Sequence, residues 1–161
     1  MYALSSCCLN EGVVRRGRSN EPSAAELVKS IDEVRGRRGG AAGALARAAS
    51  WAPNPANPPL YLDLPTRNGE VVPDVAVKWA ANSPVAILDQ YVPNLKKYTA
   101  VALDIGLQDT LIASNRVFVE RLNRYQIPHT FETYEGDHVN RVPQRLEEHV
   151  LPFFSKHLKG S

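Results

Sequence analysis

An aspartate and a histidine in this sequence follow two segments that we predict to be neighbouring strands. Asp109 ends the loop Gly106-Leu-Gln-Asp109, and His138 ends the loop Glu135-Gly-Asp-His138. Because the carboxyl ends of parallel strands gather at one edge of an α/β sheet, we expect the two side chains to meet. A carboxylate that accepts one imidazole N–H fixes the ring tautomer and leaves the other nitrogen to take up a proton. The spacing therefore indicates the acid–base half of a catalytic triad.

Both residues also have an ordinary structural interpretation. Asp109 can cap the helix that we predict to begin at Leu111, a position that aspartate often fills. His138 can be a solvent-facing loop histidine. Asp104 ends the preceding strand, and we expect it to be structural, with the triad acid as its alternative role.

The elements that must position this pair form a series of strand, helix, strand and helix. The apolar run 99–104 is typical of a strand buried on both faces, and 111–125 has apolar residues at helical spacing. Residues 130–134 alternate like a second strand, and a last helix starts near Val142. This order predicts an α/β fold with a short, mostly parallel sheet and flanking helices.

The first 98 residues follow a different pattern. A short apolar segment at 2–9 predicts a first strand. We then predict two helices, a hairpin around the turn Asn68-Gly69 and a third helix from Asp74, the first helix beginning with a capping box of Ser23 and Glu26. These elements are expected at 23–38, 41–49, 60–64 with 71–72, and from 74 onward until Pro84 interrupts. We therefore expect one domain, residues 1–161, with the first strand in 1–11, a helix-rich, cap-like insertion in 12–98 and a βαβα core in 99–161.

Three segments carry a family resemblance: Val101-Ala-Leu-Asp-Ile-Gly-Leu-Gln-Asp-Thr-Leu111, Phe131-Glu-Thr-Tyr-Glu-Gly-Asp-His138 and Leu151-Pro-Phe-Phe-Ser155. They resemble the C-terminal part of the α/β-hydrolase esterases that include feruloyl esterases, S-formylglutathione hydrolases and enterochelin-esterase-like proteins. Residues 2–6 are similar to the strand after the nucleophile helix of that family, and 51–94 to an insertion that some members carry. The resemblance implies a partial α/β-hydrolase fold, hydrolysis of a small carboxylic ester or lactone, Asp109 as triad acid and His138 as triad base. No cofactor is expected.

The serine that this family places in a Gly-x-Ser-x-Gly elbow has no counterpart in the sequence. Ser5 and Ser6 lack flanking glycines, and three other serines lie in or beside predicted helices: Ser83, Ser114 and Ser155. The strand-to-helix loop that supplies an oxyanion-hole N–H in this family is absent too. We therefore expect a truncated hydrolase that begins at an internal methionine. Its nucleophile would be water activated by His138, a metal-bound hydroxide or a side chain from another subunit.

Four aromatic side chains are candidates for lining a substrate pocket for an acyl or aryl group, with core filling as the alternative: Trp51, Tyr61, Trp79 and Tyr91. Two other functions stay open. Glu135, Asp137 and His138, with Asp109 or Asp104, offer ligands for a divalent cation that activates water. The chain can also be an inactive hydrolase fragment that self-associates or binds a partner.

Composition narrows the expected partners. The net charge of +2 is too small to indicate nucleic acid, and no apolar run approaches the roughly twenty residues that a membrane span needs. The adjacent Cys7 and Cys8 have no metal-ligand spacing and are expected to be small buried residues in a reducing, cytoplasmic setting. Because the missing strands would leave the edge of the first strand unpaired, we expect a homo-oligomer.

Overall fold

A computed structural model describes residues 1–10, 21–35 and 40–158. Over these residues the chain forms short strands and helices that alternate irregularly at first and regularly from residue 102 onward. The strands are β1 (Tyr2–Leu4), β2 (Thr66–Arg67), β3 (Glu70–Val71), β4 (Ala102–Gly106) and β5 (Thr130–Tyr134). The α-helices are α1 (Ile31–Arg35), α2 (Gly40–Trp51), α3 (Pro73–Ala81), α4 (Pro84–Leu95), α5 (Ile112–Arg124), α6 (Val142–Arg145) and α7 (Leu151–His157), with a π-helical turn at Leu146–Val150.

Three strands form a parallel sheet in the order β1-β4-β5. The central strand β4 is buried along its whole length, and its residues are apolar apart from Asp104 and the terminal Gly106. The strand predicted at 99–104 was wrong in extent, because β4 begins at Ala102 and continues to Gly106, so Asp104 lies inside the strand and not at its end. In the ladder Asp104 lies between Leu4 of β1 and Glu132 of β5. The predicted mixed α/β fold with a small parallel sheet is confirmed at this level.

The helices that follow β4 and β5 agree closely with the sequence pattern. Helix α5 buries Asn115, Phe118 and Leu122 on one face, the spacing that predicted it. Strand β5 has the predicted bounds, and α6 begins at Val142 as expected. The last helical stretch is interrupted by the π-helical turn between α6 and α7, which the sequence did not indicate.

The chain divides into two compact units. One contains Met1–Asn10 and Ile87–Ser161 and so holds the parallel sheet, and the other is Glu11–Ala86. The second unit has its own apolar core, formed by Ala25, Val28, Leu45, Ala48, Ala52, Leu62, Val75 and Trp79. Its range overlaps the predicted insertion at 12–98, although α4 falls largely into the first unit.

Several predicted elements were wrong in extent. The first strand ends at Leu4, because Ser5 has a φ of 44° and cannot continue an extended strand. The described part of the predicted helix 23–38 is a series of turns before the short α1, and residues 36–39 lie outside the described part of the chain. Its expected apolar face is not buried, since Leu27 is 56% and Ile31 is 53% exposed.

The predicted Asn-Gly turn is present, but it joins different strands. Asn68 and Gly69 have φ values of 50° and 76°, as a two-residue hairpin turn with positive φ requires, and they connect β2 to β3. Residues 60–64 were predicted as a strand, yet they lie in turns, with one isolated bridge between Leu62 and Pro53.

Within the described residues, no helix has the length and apolar character that a bilayer crossing requires.

Candidate active site

Asp109 lies three residues after β4, in the turn that leads to α5. Its side chain is fully buried. One carboxylate oxygen, Oδ1, accepts a hydrogen bond from the backbone N–H of Leu111 at 2.9 Å, and the backbone N–H of Asp109 donates to the carbonyl of Gly106 at 3.1 Å. Asp109 thus stabilises the turn before the helix, while Leu111 holds the N-cap position itself. The second carboxylate oxygen, Oδ2, contacts a residue of another loop.

That residue is His138, four residues after β5. Its Nδ1 lies 2.9 Å from Oδ2 of Asp109. The histidine side chain is 52% exposed, so a fully buried carboxylate bonds a ring of which about half is open to solvent. The predicted meeting of the two side chains at the carboxyl ends of neighbouring strands is therefore present in the structure.

Asp137 organises the loop that carries His138. Its carboxylate accepts the backbone N–H groups of Val139 and Asn140, each at 2.8 Å. These two bonds favour the charged form and lower the pKa of Asp137 below its ordinary value. The side chain of Asn140 in turn accepts the backbone N–H of Asp137 at 3.0 Å. The carboxylate of Asp137 is thus engaged in hydrogen bonds within its own loop.

The two loops contact each other through their backbones. Leu107 N–H donates to Tyr134 O at 2.8 Å, and Gln108 N–H donates to Gly136 O at 3.0 Å. A Cβ atom on Gly106 would fall on the carbonyl group of Gly136, 2.6 Å from its carbon, so only glycine allows this approach. Main-chain contacts therefore bring the loop that carries Asp109 against the loop that carries His138.

This arrangement has a definite chemical capacity. A carboxylate can only accept, so Nδ1 of His138 must donate its proton to Asp109, and the neutral ring then carries its lone pair on Nε2. Such a ring can take a proton from a hydroxyl or a water molecule, and the carboxylate stabilises the imidazolium that forms. Asp109 and His138 are thus equipped for general acid–base catalysis.

The serines do not complete a triad within the described residues. Ser5 has an Oγ that lies 3.3 Å from the hydroxyl of Tyr134, and it is only 6% exposed. Ser114 donates to the Leu111 carbonyl at 2.9 Å, Ser83 is buried, and Ser155 lies exposed on α7. Among the serines that the structure describes in the unit of the parallel sheet, none is hydrogen-bonded to His138.

Asp104, the alternative acid, belongs to a separate cluster on the sheet. Its Oδ2 accepts the hydroxyl of Tyr2 at 2.9 Å and Nε of Arg145 at 2.7 Å. Arg145 also contacts Glu132 at 2.7 Å and His149 at 2.7 Å.

Burial and the neighbouring Asp104 raise the pKa of the Tyr2 phenol above its ordinary value. Burial lowers the pKa of Arg145, but its bonds to Glu132 and Asp104 outweigh this and raise the pKa. Asp104 is therefore bonded to a buried cation and not to His138.

The residues proposed for a metal site are engaged in other contacts. Glu135 accepts the side-chain amide of Gln108 at 2.7 Å, Asp137 binds its own loop, and Asp109 binds His138. Over residues 1–10, 21–35 and 40–158, no three or more His, Cys, Asp or Glu side chains are grouped so that they could hold a metal ion. The metal-dependent alternative thus has no ligand set in this part of the chain.

The four candidate pocket residues lie in different surroundings. Trp51 and Trp79 form an edge-to-face pair with ring centroids 5.2 Å apart, and Trp79, 4% exposed, belongs to the core of the second unit. Tyr61 is 54% and Tyr91 is 49% exposed. None of the four lines the cavity of about 740 Å³ in the second unit, whose buried apolar lining includes Ala25, Val28, Leu62 and Val75.

The cysteine pair was expected to be buried, and this was wrong. Cys7 is exposed and Cys8 is half-buried, in the segment that follows β1. The strand that would have buried them ends at Leu4. Their Sγ atoms lie 2.7 Å apart.

Two polar residues with clear roles were not singled out in the sequence. Gln108 bonds the loop that carries His138, and Arg145 neutralises Asp104. The only signal for Gln108 is its place between Gly106 and Asp109 in the loop after β4. For Arg145, the signal is that a charge in a strand buried on both faces needs a partner of opposite charge.

Neither the family models nor the curated proteins compared with this chain give a match.

Proposed function

We propose that this chain has a partial α/β-hydrolase fold and acts in the hydrolysis of small carboxylic esters or lactones, with His138 as general base and Asp109 as the residue that orients it. The observation that carries the proposal is the 2.9 Å contact between His138 Nδ1 and Asp109 Oδ2, made by loops that follow adjacent parallel strands. The family resemblance of these two loops supports the choice of esters over other substrates.

The chemical step uses the nitrogen of His138 that Asp109 leaves available. Nε2 of His138 removes the proton of the nucleophile, while the oxygen of the nucleophile bonds to the carbonyl carbon of the ester. The carbonyl π electrons move to the carbonyl oxygen, and a tetrahedral intermediate forms. When this intermediate collapses, the C–O bond to the leaving group breaks and the imidazolium returns its proton to the departing alkoxide. Asp109 stays ionised throughout and stabilises the imidazolium.

The nucleophile in this proposal is a water molecule or a hydroxyl from another polypeptide. A hydroxyl would be left acylated, and a water molecule deprotonated by His138 would then attack this ester and release the acid. Ser5 is not chosen, because its hydroxyl is within hydrogen-bonding distance of Tyr134 and is largely shielded from solvent. Water needs no nucleophilic side chain from this chain, and it can reach His138 because the side chain is 52% exposed.

Two substitutions test the proposal against a panel of carboxylic esters and lactones. We expect His138→Ala to abolish hydrolysis and Asp109→Asn to lower kcat by roughly 10² to 10⁴, the usual contribution of a positioned base. Because any exposed imidazole hydrolyses activated esters slowly, the matched control is His129→Ala, which removes a partly exposed histidine from the turn before β5.

The control variant should keep the parent activity on alkyl esters as well as on activated aryl esters. If His138→Ala and Asp109→Asn hydrolyse the panel as fast as the parent, the hydrolase proposal is wrong. The pair would then be a structural contact in a chain that does not catalyse this reaction.

A further inference from the structure

Gln108 connects the loop that carries Asp109 to the loop that carries His138. Its side-chain Oε1 accepts the backbone N–H of Gly136 at 2.6 Å, and its Nε2 donates to Oε2 of Glu135 at 2.7 Å. Its backbone N–H donates to the carbonyl of Gly136 at 3.0 Å. One residue thus makes three hydrogen bonds to two consecutive residues of the opposite loop.

The orientation of this amide follows from its partners. A backbone N–H can only donate and a carboxylate can only accept, so the oxygen must face Gly136 and the NH₂ group must face Glu135. The bond to Glu135 is charge-assisted and therefore stronger than a neutral one. A reversed amide would place like groups against each other at both ends.

The consequence concerns His138, which lies two residues after Gly136. Gln108 is adjacent to Asp109. The hydrogen bonds from Gln108 to residues 135 and 136 therefore fix the start of the loop that carries His138 relative to Asp109, the proposed triad acid. We propose that Gln108 is a positioning residue that holds His138 in bonding range of Asp109. This inference rests on the proposed function, because positioning matters to catalysis only if His138 is the base.

We call the side-chain hydrogen bonds from Gln108 to Glu135 and Gly136 the clamp. Exchanging the side chains of residues 108 and 135 tests it. In Gln108→Glu, one oxygen still accepts the Gly136 N–H, but the other faces the Glu135 carboxylate, and the two negative charges repel. Glu135→Gln alone keeps an amide–amide bond. The double variant Gln108→Glu with Glu135→Gln reverses donor and acceptor and restores a charge-assisted bond of the same length.

A second glutamine–glutamate pair provides the control. Gln144 on α6 donates to Glu148 at 3.0 Å and accepts Nη1 of Arg141 at 3.0 Å. Gln144→Glu therefore places a new carboxylate beside a glutamate and leaves Gln108, Glu135 and Gly136 unchanged.

The first measurement is the tautomer of His138, followed by long-range ¹H–¹⁵N NMR of the imidazole ring. We expect the parent, Glu135→Gln, Gln144→Glu and the double variant to hold a single Nδ1–H form. Gln108→Glu should give a mixture of tautomers. The second measurement is hydrolysis, where kcat should fall roughly 10- to 100-fold in Gln108→Glu with KM nearly unchanged, because misplacing a catalytic group affects the chemical step.

Two outcomes would overturn the clamp: a His138 tautomer that stays single in Gln108→Glu, or a double variant that recovers neither the tautomer nor kcat. Thermal melting accompanies each variant, and the uncharged Gln108→Ala is the substitute if Gln108→Glu does not fold. The NMR experiment needs no substrate. If the clamp proposal is wrong, the NMR result fails although His138→Ala still abolishes hydrolysis. If the proposed function is wrong, the NMR result holds although hydrolysis does not depend on His138.

Discussion

The two oxygens of the Asp109 carboxylate bond different partners, so replacing one oxygen by an NH₂ group changes the hydrogen bonding of His138. Oδ1 accepts the backbone N–H of Leu111, and Oδ2 faces Nδ1 of His138. In Asp109→Asn the amide oxygen has to stay on Leu111, because that N–H can only donate. The NH₂ group then faces His138 and forces Nδ1 to become an acceptor.

We therefore predict that Asp109→Asn inverts the His138 tautomer, with the ring proton on Nε2 and the basic nitrogen lost from the solvent side. Imidazole ¹⁵N shifts at a pH where the ring is neutral measure this. His129 is the internal reference, because its Nδ1 lies 2.8 Å from the carbonyl of Ile127 and must carry the proton in both proteins. Retention of the Nδ1–H form of His138 in the variant would contradict the assigned geometry.

The sequence predicted the contact between Asp109 and His138 but not the residues that hold their loops together. The order of elements places Asp109 and His138 after neighbouring strands, and that was enough to predict their contact. Gln108 could not be assigned, because its partners are a backbone N–H and a glutamate 27 residues away. Such contacts follow from the path of a loop, which leaves little trace in residue types.

At the scale of elements, Arg145 joins the C-terminal helical stretch to the sheet. It is 7% exposed and contacts the fully buried Asp104 and the half-exposed Glu132. Its guanidinium carbon also lies 4.7 Å from the ring centroid of Tyr134. Loss of the cation would leave the Asp104 carboxylate buried without a counter-charge.

We predict that Arg145→Met lowers the free energy of unfolding by about 3 to 5 kcal/mol, the usual cost of leaving a buried charge unpaired. Glu132→Gln removes only the solvent-exposed partner and should cost less than about 1 kcal/mol. Urea denaturation followed by circular dichroism measures both. Equal losses in the two variants would mean that the pairing with Asp104 does not govern this contact.

Glu26 makes two long-range contacts that the sequence did not predict. The capping box expected from Ser23 and Glu26 would have used the carboxylate locally. Ser23 and Glu26 do bond each other, since the Ser23 hydroxyl donates to Oε1 of Glu26 at 3.1 Å and accepts the Glu26 N–H at 3.4 Å. In addition, Oε1 of Glu26 accepts the Thr66 hydroxyl and Oε2 accepts the Asn68 N–H, each at 2.6 Å, which ties this segment to the β2–β3 hairpin. Burial raises the pKa of Glu26, but hydrogen bonds from Thr66, Ser23 and Asn68 outweigh it and lower the pKa below 4.5.

A lowered pKa in the folded state means that the charged form of Glu26 stabilises the fold above the ordinary pKa, and that this contribution is lost as the pH falls through the lower value. Glu26→Gln should therefore reduce stability by about 1 kcal/mol at neutral pH, a modest figure because solvent screens a half-exposed side chain. The difference from the parent should shrink toward acid pH. Urea denaturation over a pH series measures it, with the exposed Glu21→Gln as control. A pH-independent difference would contradict the role of the charge.

The regular elements were predictable for a physical reason that the second unit lacks. Strand β4 and helix α5 are buried along a whole strand or one helix face, so their patterns are continuous. In Glu11–Ala86, residues such as Ala25, Val28 and Leu62 enter the core one at a time from turns. Isolated buried positions give no period, and the helix at 23–38 and the strand at 60–64 were wrong for that reason.

Strand β1 is the edge strand of the parallel sheet among the described residues, and the direction of its backbone groups decides what association we expect. Met1 O accepts the Ala102 N–H and Ser5 N–H donates to Asp104 O, both at 2.9 Å, so the odd-numbered residues of this segment face β4. In a parallel ladder the alternate residues face the other way. The backbone groups of Tyr2 and Leu4 therefore point to the side of β1 on which no described strand pairs.

We predict that two copies pair along this edge and that light scattering gives about twice the 17.7 kDa of one chain. Hydrogen exchange should then show a protected Leu4 amide at high protein concentration and a faster one on dilution, while the Ser5 amide, bonded to β4, is slow in both conditions. Leu4→Pro removes the edge N–H and should yield a monomer with an intact β1–β4 ladder. A monodisperse 17.7 kDa particle whose Leu4 amide exchanges at the same rate at every concentration would exclude pairing at this edge.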